Sequence, residues 1–216
     1  MSELVLFVGN KNYSSWSLRP YLALAHTGAK FRTETILLDL PESRGNILAK
    51  NPAGKVPVLY DGDFAIWDSL AICEYLAETY PAAKLWPSDR LARARARSIS
   101  AEMHSGFPAL RAAMPMNLRA RKPGVGHTPD ALADAARIQH IWHEALKASG
   151  GPFLFGSFSI ADAMFAPVTT RFTTYGVSLD SQCAAYVDAV AGLPAFKTWL
   201  ADAEREEAKQ AKYDNL

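Results

Sequence analysis

Most marks of a specialised protein class are missing from this chain. It carries two cysteines in 216 residues, and Cys73 and Cys183 make neither a metal-binding pattern nor a disulfide framework. Cys73 falls on an apolar helix face, where an inert buried thiol is the expectation. No apolar run reaches the roughly 18–20 residues that a membrane-spanning helix needs. Net charge is +1, so no excess of one sign points to nucleic acid or to an anionic membrane. Met1-Ser2-Glu3 precedes a short strand-like run rather than a secretory leader. No internal repeat is visible. These absences leave a soluble chain in a reducing, cytoplasmic setting as the expectation. Apolar residues make up 49% of it, enough for a real core.

The chemistry gathers between residues 51 and 76. In Asn51-Pro52-Ala53-Gly54-Lys55-Val56-Pro57-Val58-Leu59 a proline interrupts a strand-like run. Proline cannot donate to a ladder and is confined to edges, strand starts and bulges. Val58, Leu59 and Tyr60 read as a strand, Asp61-Gly62 as a two-residue turn and Phe64–Trp67 as the return strand. Pro57 at the mouth of this hairpin is expected to be cis, with the Val56 backbone left for an extended peptide to dock by strand addition. Asp68 then reads as an N-cap and Ser69 as the first turn of a helix bearing Leu70, Ile72, Cys73, Tyr75 and Leu76. A helix N-terminus with a hydroxyl suits a carboxylate. Together these elements fit a short peptide that carries one.

In chain order, Leu4–Val8 reads as a buried strand. Residues 9–17 form a polar loop, and a helix follows from near Ser15 to Ser17, placed there so that Pro20 falls in its first turn. Phe31–Leu37 reads as a second strand and Pro41–Lys50 as a short helix or loop. A strand–helix–strand start implies a parallel pair. Tyr80–Pro87 breaks the pattern. After it only helices are expected: one bent stretch over 88–121, a helix capped by Thr128, a helix started by the Ser159/Asp162 capping box, and two shorter ones near 181–190 and 194–203. Residues 204–212 read as a solvated, charged helix end.

Asn-Pro-x-Gly-Lys-Val-Pro-Val-Leu followed by Asp-Ser-x-Ala-Ile-x-Glu-Tyr-Leu resembles the glutathione-binding half of the cytosolic glutathione transferases. The two-part layout is similar to theirs over nearly the whole chain. The resemblance implies an α+β two-domain protein. A thioredoxin-like βαβ-α-ββα unit (1–80), a linker (81–88) and an all-α domain (89–216) would make it up. It further implies glutathione as co-substrate, no metal, a small electrophile as second substrate and a homodimer, with no nucleic-acid or membrane partner.

A free thiol has a pKa of about 8.5, so such an enzyme must stabilise S⁻, at roughly 1.4 kcal/mol per pKa unit. A hydroxyl at a helix N-terminus would do so. Ser14-Ser15-Trp16-Ser17-Leu18-Arg19 resembles the Ser-Ser-Cys-x-x-Arg run of the zeta class, with Trp16 in place of the cysteine, and that match selects Ser14. Theta- and delta-like sequences place the serine four residues before the arginine, which selects Ser15. Tyr13 is a third candidate. By family match Val56, beside Pro57, binds the cysteinyl backbone and Ser69 with Asp68 takes the γ-glutamyl end; Lys55 stands where the zeta class has a glutamine near glutathione, and a lysine there could pair with a glutathione carboxylate.

The second substrate is placed against Trp16, Met103, His104, Phe107 and Arg111. Met103, Phe107, Leu110 and Met114 share one face of a continuous helix by spacing. Conjugation is the leading activity. Zeta-type maleylacetoacetate isomerisation is the alternative. It is weakened because Thr174-Tyr175 stands where the isomerase pattern has an arginine before an aromatic, and Arg171-Phe172 lies one turn earlier. A non-catalytic interaction module of the same fold would show decay of the binding motif. Thiol–disulfide exchange would want a cysteine in the first loop, which has none.

Overall fold

The computed structural model describes residues 3–216. It opens with β1 (Leu4–Val8), α1 (Ser15–His26), β2 (Phe31–Thr35), α2 (Ser43–Leu48), β3 (Val58–Asp61), β4 (Phe64–Trp67) and α3 (Ser69–Thr79). The sheet order is β2-β1-β3-β4. β2 runs parallel to β1, and β3 and β4 follow antiparallel. This is a thioredoxin-like unit.

β1 is buried along its whole length, and the strand alternation sorts its residues. Leu4, Leu6 and Val8 join Leu18, Leu22, Leu59, Ile72 and Leu76 in the main core. Val5 and Phe7 pack with Val58 on the other side. Each such side chain contributes about 1.5–3 kcal/mol on burial.

Two local expectations are corrected here. Asp61 pairs with Phe64 across the hairpin, so the turn residues are Gly62-Asp63. Gly62, at φ 59°, supplies the left-handed backbone that the turn needs. Pro20 lies inside α1, beyond its first turn. Its missing N–H leaves the Trp16 carbonyl without a helical donor.

The rest is helical: α4 (Arg90–Ser105), α5 (Pro108–Ala113), α6 (Pro129–Ser149), α7 (Ile160–Tyr175), α8 (Ser181–Ala191), α9 (Pro194–Arg205) and α10 (Ala211–Asp214). All of α7 except Thr173 is buried. Its N-terminus is held by the capping box: Asp162 Oδ2 accepts from the Ser159 N–H at 2.8 Å and the Ser159 hydroxyl at 2.9 Å. The other carboxylate oxygen accepts from the Leu154 N–H at 3.0 Å. Ser159 is therefore the cap itself, and the helix starts at Ile160. α1 packs against both α3 and α7, which ties the first half to the second.

The single bent helix expected over 88–121 is two helices followed by an irregular stretch from Met114. α4 stops at Ser105, Gly106 is extended, and Phe107 is left-handed at φ 62°. Pro108 explains the break, since a residue before proline is disfavoured in the right-handed helical region. The tail is no solvated helix end either. After α9 it folds back over the first loop, where the Glu206 carboxylate accepts from the N–H groups of Lys11 at 3.0 Å and Asn12 at 3.1 Å.

Candidate active site

The loop after β1 carries the serines to the start of α1. It is buried, polar and tightly held. Asn12 donates to Asn117 at 2.9 Å, and Leu118 and Arg119 donate back to Asn12 at 3.3 and 3.0 Å. Gly9 has to be small there: a Cβ on it would stand 2.8 Å from Leu38 Cδ1 and 3.1 Å from the Ser14 side chain.

Ser14 is the N-cap residue of α1, and its side chain makes no capping bond. Its Oγ lies 2.8 Å from Ser17 Oγ, which already accepts from the Gly9 N–H at 3.0 Å. Ser15 is the first helical residue, and its Oγ accepts from Arg171 Nη2 at 3.3 Å. The Tyr13 hydroxyl is committed elsewhere. It donates to Asp214 at 2.7 Å and accepts from Arg119 at 3.0 Å and the Gln210 N–H at 3.2 Å.

Two adjoining cavities meet at this loop. One, of about 610 Å³, is walled by Lys55, Val56, Trp67, Asp68, Ser69 and His104, with Pro57 beside them. The other, of about 590 Å³, is walled by Ser14, Ser15, Trp16, Arg111, Arg171 and Tyr213. Trp16 and Val56 border both. A larger groove, of about 1220 Å³, runs between Trp86-Pro87 and the end of α6; it reaches Ser159 of the capping box and none of the candidate site residues.

In the first cavity the Val56–Pro57 bond is cis. β3 begins only at Val58, and the Val56 backbone makes no hydrogen bond among the described residues. Lys55 is exposed at the rim. Asp68 adopts φ 72°, a conformation that costs about 1–3 kcal/mol and is found at functional sites. Its Oδ1 caps α3 through the N–H groups of Leu70 at 2.8 Å and Ala71 at 3.2 Å. Ser69 is buried, and its hydroxyl has no partner.

His104 lines this first cavity and not the second, apart from Arg111, the residue expected to border one pocket with it. Its Nε2 is 3.2 Å from Asp68 Oδ2, and its ring meets Trp16 edge-on at 5.3 Å. Burial lowers its pKa, with Asp68 opposing and Arg19 and Arg111 adding to the shift.

Met103 and Phe107 are corrected more fully. Both lie in the hydrophobic core and line neither cavity. The break at Gly106 means that their spacing no longer describes one helix face.

The second cavity is lined by Arg44, Arg111, Arg171 and Lys212 against one carboxylate, Asp39, and Arg19 lies behind Trp16 without lining either cavity. The Arg19 and Arg111 guanidinium carbons lie 4.3 and 5.0 Å from the centre of the Trp16 ring, within cation–π range. Arg19 is fully buried, and none of its side-chain nitrogens has a partner. Burial, and then Arg111 and Arg171, lower its pKa. Arg171 is 4% exposed and donates to the carbonyls of Met114 at 2.8 Å and Pro167 at 3.2 Å. Burial first, then Arg111, pushes it down to about 9.

The sequence marks Arg171 only as an offset motif, and Tyr213 not at all. A charged tail carries no local sign that it will return to the first loop. The two thiols stand apart from this chemistry: burial raises the pKa of both Cys73 and Cys183.

A thioredoxin-like half that presents a serine-bearing helix start, an unpaired backbone edge and a capped hydroxyl terminus to one cleft, closed by a helical half, fits a short peptide that carries a carboxylate. Comparison with known proteins narrows the class. Residues 13–79 match the family model described as Glutathione S-transferase, N-terminal domain, and 118–202 match its C-terminal domain. The chain belongs to the glutathione S-transferase family.

It is 31% identical to the maleylacetoacetate isomerase of Pseudomonas aeruginosa, over 89% of this chain and 93% of that one. It is 38% identical to a probable maleylacetoacetate isomerase of Caenorhabditis elegans over 49% of each chain, so that match spans about half of the relative. Among solved structures, a glutathione transferase homolog from Burkholderia with bound glutathione has a TM-score of 0.74 at 23% identity, covering 95% of this chain and all 100% of that one. That likeness bears on the fold.

Proposed function

We propose that the protein binds glutathione in the first cavity and activates its thiol for attack on an electrophile held in the second. One observation carries the reading. Ser14, Val56 and the Asp68–Ser69 helix start, singled out from separate stretches, all border the joined cavities. The Val56 backbone pairs with the cysteinyl unit. The free Ser69 hydroxyl and the N-terminus of α3 take the γ-glutamyl carboxylate, with Asp68 on its amine. Lys55 reaches the glycyl carboxylate.

The cysteinyl sulfur then meets Ser14. When Ser14 donates to S⁻, Ser17 donates to Ser14 and the Gly9 N–H to Ser17, so every hydrogen in the chain has an acceptor. Such a chain polarises each of its members. Trp16 and Arg111, with Arg171, border the second substrate. The chain divides at 81–88, with the glutathione unit before it and the helical unit after. Two unpaired thiols suit a cytoplasmic setting, and detoxification of electrophiles is the role that such chemistry serves.

A homodimer completes the proposal. Phe64 and Trp67 on the edge strand β4 are 67% and 45% exposed, and Leu91 at the start of α4 is 68% exposed. A second copy would cover them. Isomerisation of maleylacetoacetate is the second reading, favoured by the named relatives and by Arg171 on the cavity wall. The intact binding motif argues against a non-catalytic module. Turnover with a panel of electrophiles, run beside maleylacetone isomerisation, tests the proposal. Conjugation should dominate. Isomerisation alone would select the second reading, and no turnover together with no glutathione binding would overturn both.

A further inference from the structure

Three donor atoms meet far along the chain, on side chains that line neither cavity. His143 lies on α6, Asp180 is the N-cap residue of α8, and Cys183 sits in the first turn of α8. Their ligating atoms all lie within 4.8 Å of one another. His143 Nε2 is 3.6 Å from Cys183 Sγ and 2.5 Å from Asp180 Oδ2.

Zinc bonds of about 2.0–2.1 Å to nitrogen and about 2.3 Å to sulfur, at a tetrahedral angle, separate N and S by about 3.5 Å. That pair is already at ligating distance. The nitrogen–oxygen pair would have to open to about 3.4 Å, and the Asp180 side chain, half exposed, has room to turn.

The surroundings orient the donors. Asp180 Oδ1 accepts from the N–H groups of Gln182 at 3.0 Å and Cys183 at 2.9 Å, which leaves Oδ2 for another partner. His143 Nδ1 lies 2.8 Å from Gln182 Oε1. With Nδ1–H donating to that oxygen, Nε2 carries a lone pair towards a carboxylate and a sulfur. Only a proton or a metal cation satisfies that arrangement. A histidine that gives its far N–H to an oxygen while its near nitrogen faces other donors is the usual outer-shell geometry of a metal ligand.

We propose that His143 Nε2, Asp180 Oδ2 and Cys183 Sγ form a binding site for a divalent ion of the zinc class that clips α6 to α8, with water in the fourth position. Thiolate and imidazole select zinc over magnesium or calcium, which take oxygen. Binding displaces the thiol proton and any proton on Nε2, and no electron is transferred. The competing account is a His–Asp ion pair that caps a helix over a buried thiol.

Cobalt(II) titration of the full, metal-stripped protein separates the two accounts. The expected result is one equivalent bound, with a thiolate-to-metal charge-transfer band that zinc abolishes by displacement. Cys73→Ala should keep the band and Cys183→Ser should lose it. His143→Ala and Asp180→Asn, at more exposed positions, should each weaken affinity by at least the roughly 10–100-fold that loss of an outer-shell partner alone causes. A titration without the band, or a band that survives Cys183→Ser or is indifferent to His143→Ala, overturns the site.

Discussion

Arg171 Nη2 donates to Ser15 Oγ at 3.3 Å, so a guanidinium from α7 stands behind the first turn of α1. Among the described residues Arg171 has no carboxylate partner; its other bonds go to two carbonyls. Although lowered to about 9, it is still charged at neutral pH, and its field is not cancelled locally. Positive charge near a bound sulfur favours S⁻ over SH. Arg171→Met should raise the thiol pKa of bound glutathione by about one unit, or about 1.4 kcal/mol. Arg171→Lys should restore much of that. Ultraviolet titration of the bound thiol reads it, and a role in packing alone would lower the melting temperature without moving the pKa.

Ser14→Ala should cost about 10²-fold in kcat/KM, the lower end of the range for one lost donor to a developing anion. The dipole of α1 and the charge of Arg171 persist, which sets the lower end. Ser15→Ala should cost less. The reverse order, with the thiol pKa following Ser15, would move the donor by one residue.

Tyr13→Phe separates architecture from chemistry. It removes a hydroxyl that holds Asp214, Arg119 and Gln210 together. A loss of about 1–3 kcal/mol in stability is expected, with the bound thiol pKa unchanged. A raised pKa would make Tyr13 the thiolate partner.

Ser69→Ala should weaken glutathione about 10-fold, roughly the 1.4 kcal/mol of one hydrogen bond to a charged group. An analogue without the γ-glutamyl unit should bind wild type and variant alike. Calorimetry on the four combinations checks this, and equal losses for both ligands would move the γ-glutamyl end elsewhere.

Asp162 gives a pH dependence. Burial pushes its carboxyl up to about 6, against the pull of the donors around it, whereas an unfolded aspartate titrates near 3.9. Between those values the folded state binds more protons than the unfolded one, so stability from this group falls as pH rises. Two units correspond to about 3 kcal/mol. The stability advantage of wild type over Asp162→Asn should therefore shrink by most of that, about 2 kcal/mol, between pH 4 and pH 7 in denaturant titrations. An advantage that grows with pH would mean that the donors win and the folded carboxyl titrates low.

Local order determined much of this protein in advance. The βαβ-α-ββα sequence of elements, the Asp68 and Thr128 caps and the Ser159/Asp162 box all rest on interactions within a few residues. Periodicity and capping chemistry encode those directly. Where a second local rule intervened, the reading slipped: Pro108 broke the helix that carried Met103 and Phe107, and the hairpin turned one residue later than Asp61-Gly62.

Tertiary structure alone decided the rest. His104 reached Asp68, Arg171 reached Ser15, Asp214 took the Tyr13 hydroxyl, and His143 met Asp180 and Cys183. Each of these contacts joins residues 36 or more positions apart along the chain. Burial then set what the contacts mean. Guanidiniums without carboxylates and carboxyls without water acquire their charge behaviour from how deeply the fold encloses them, and no spacing in a linear sequence carries that depth.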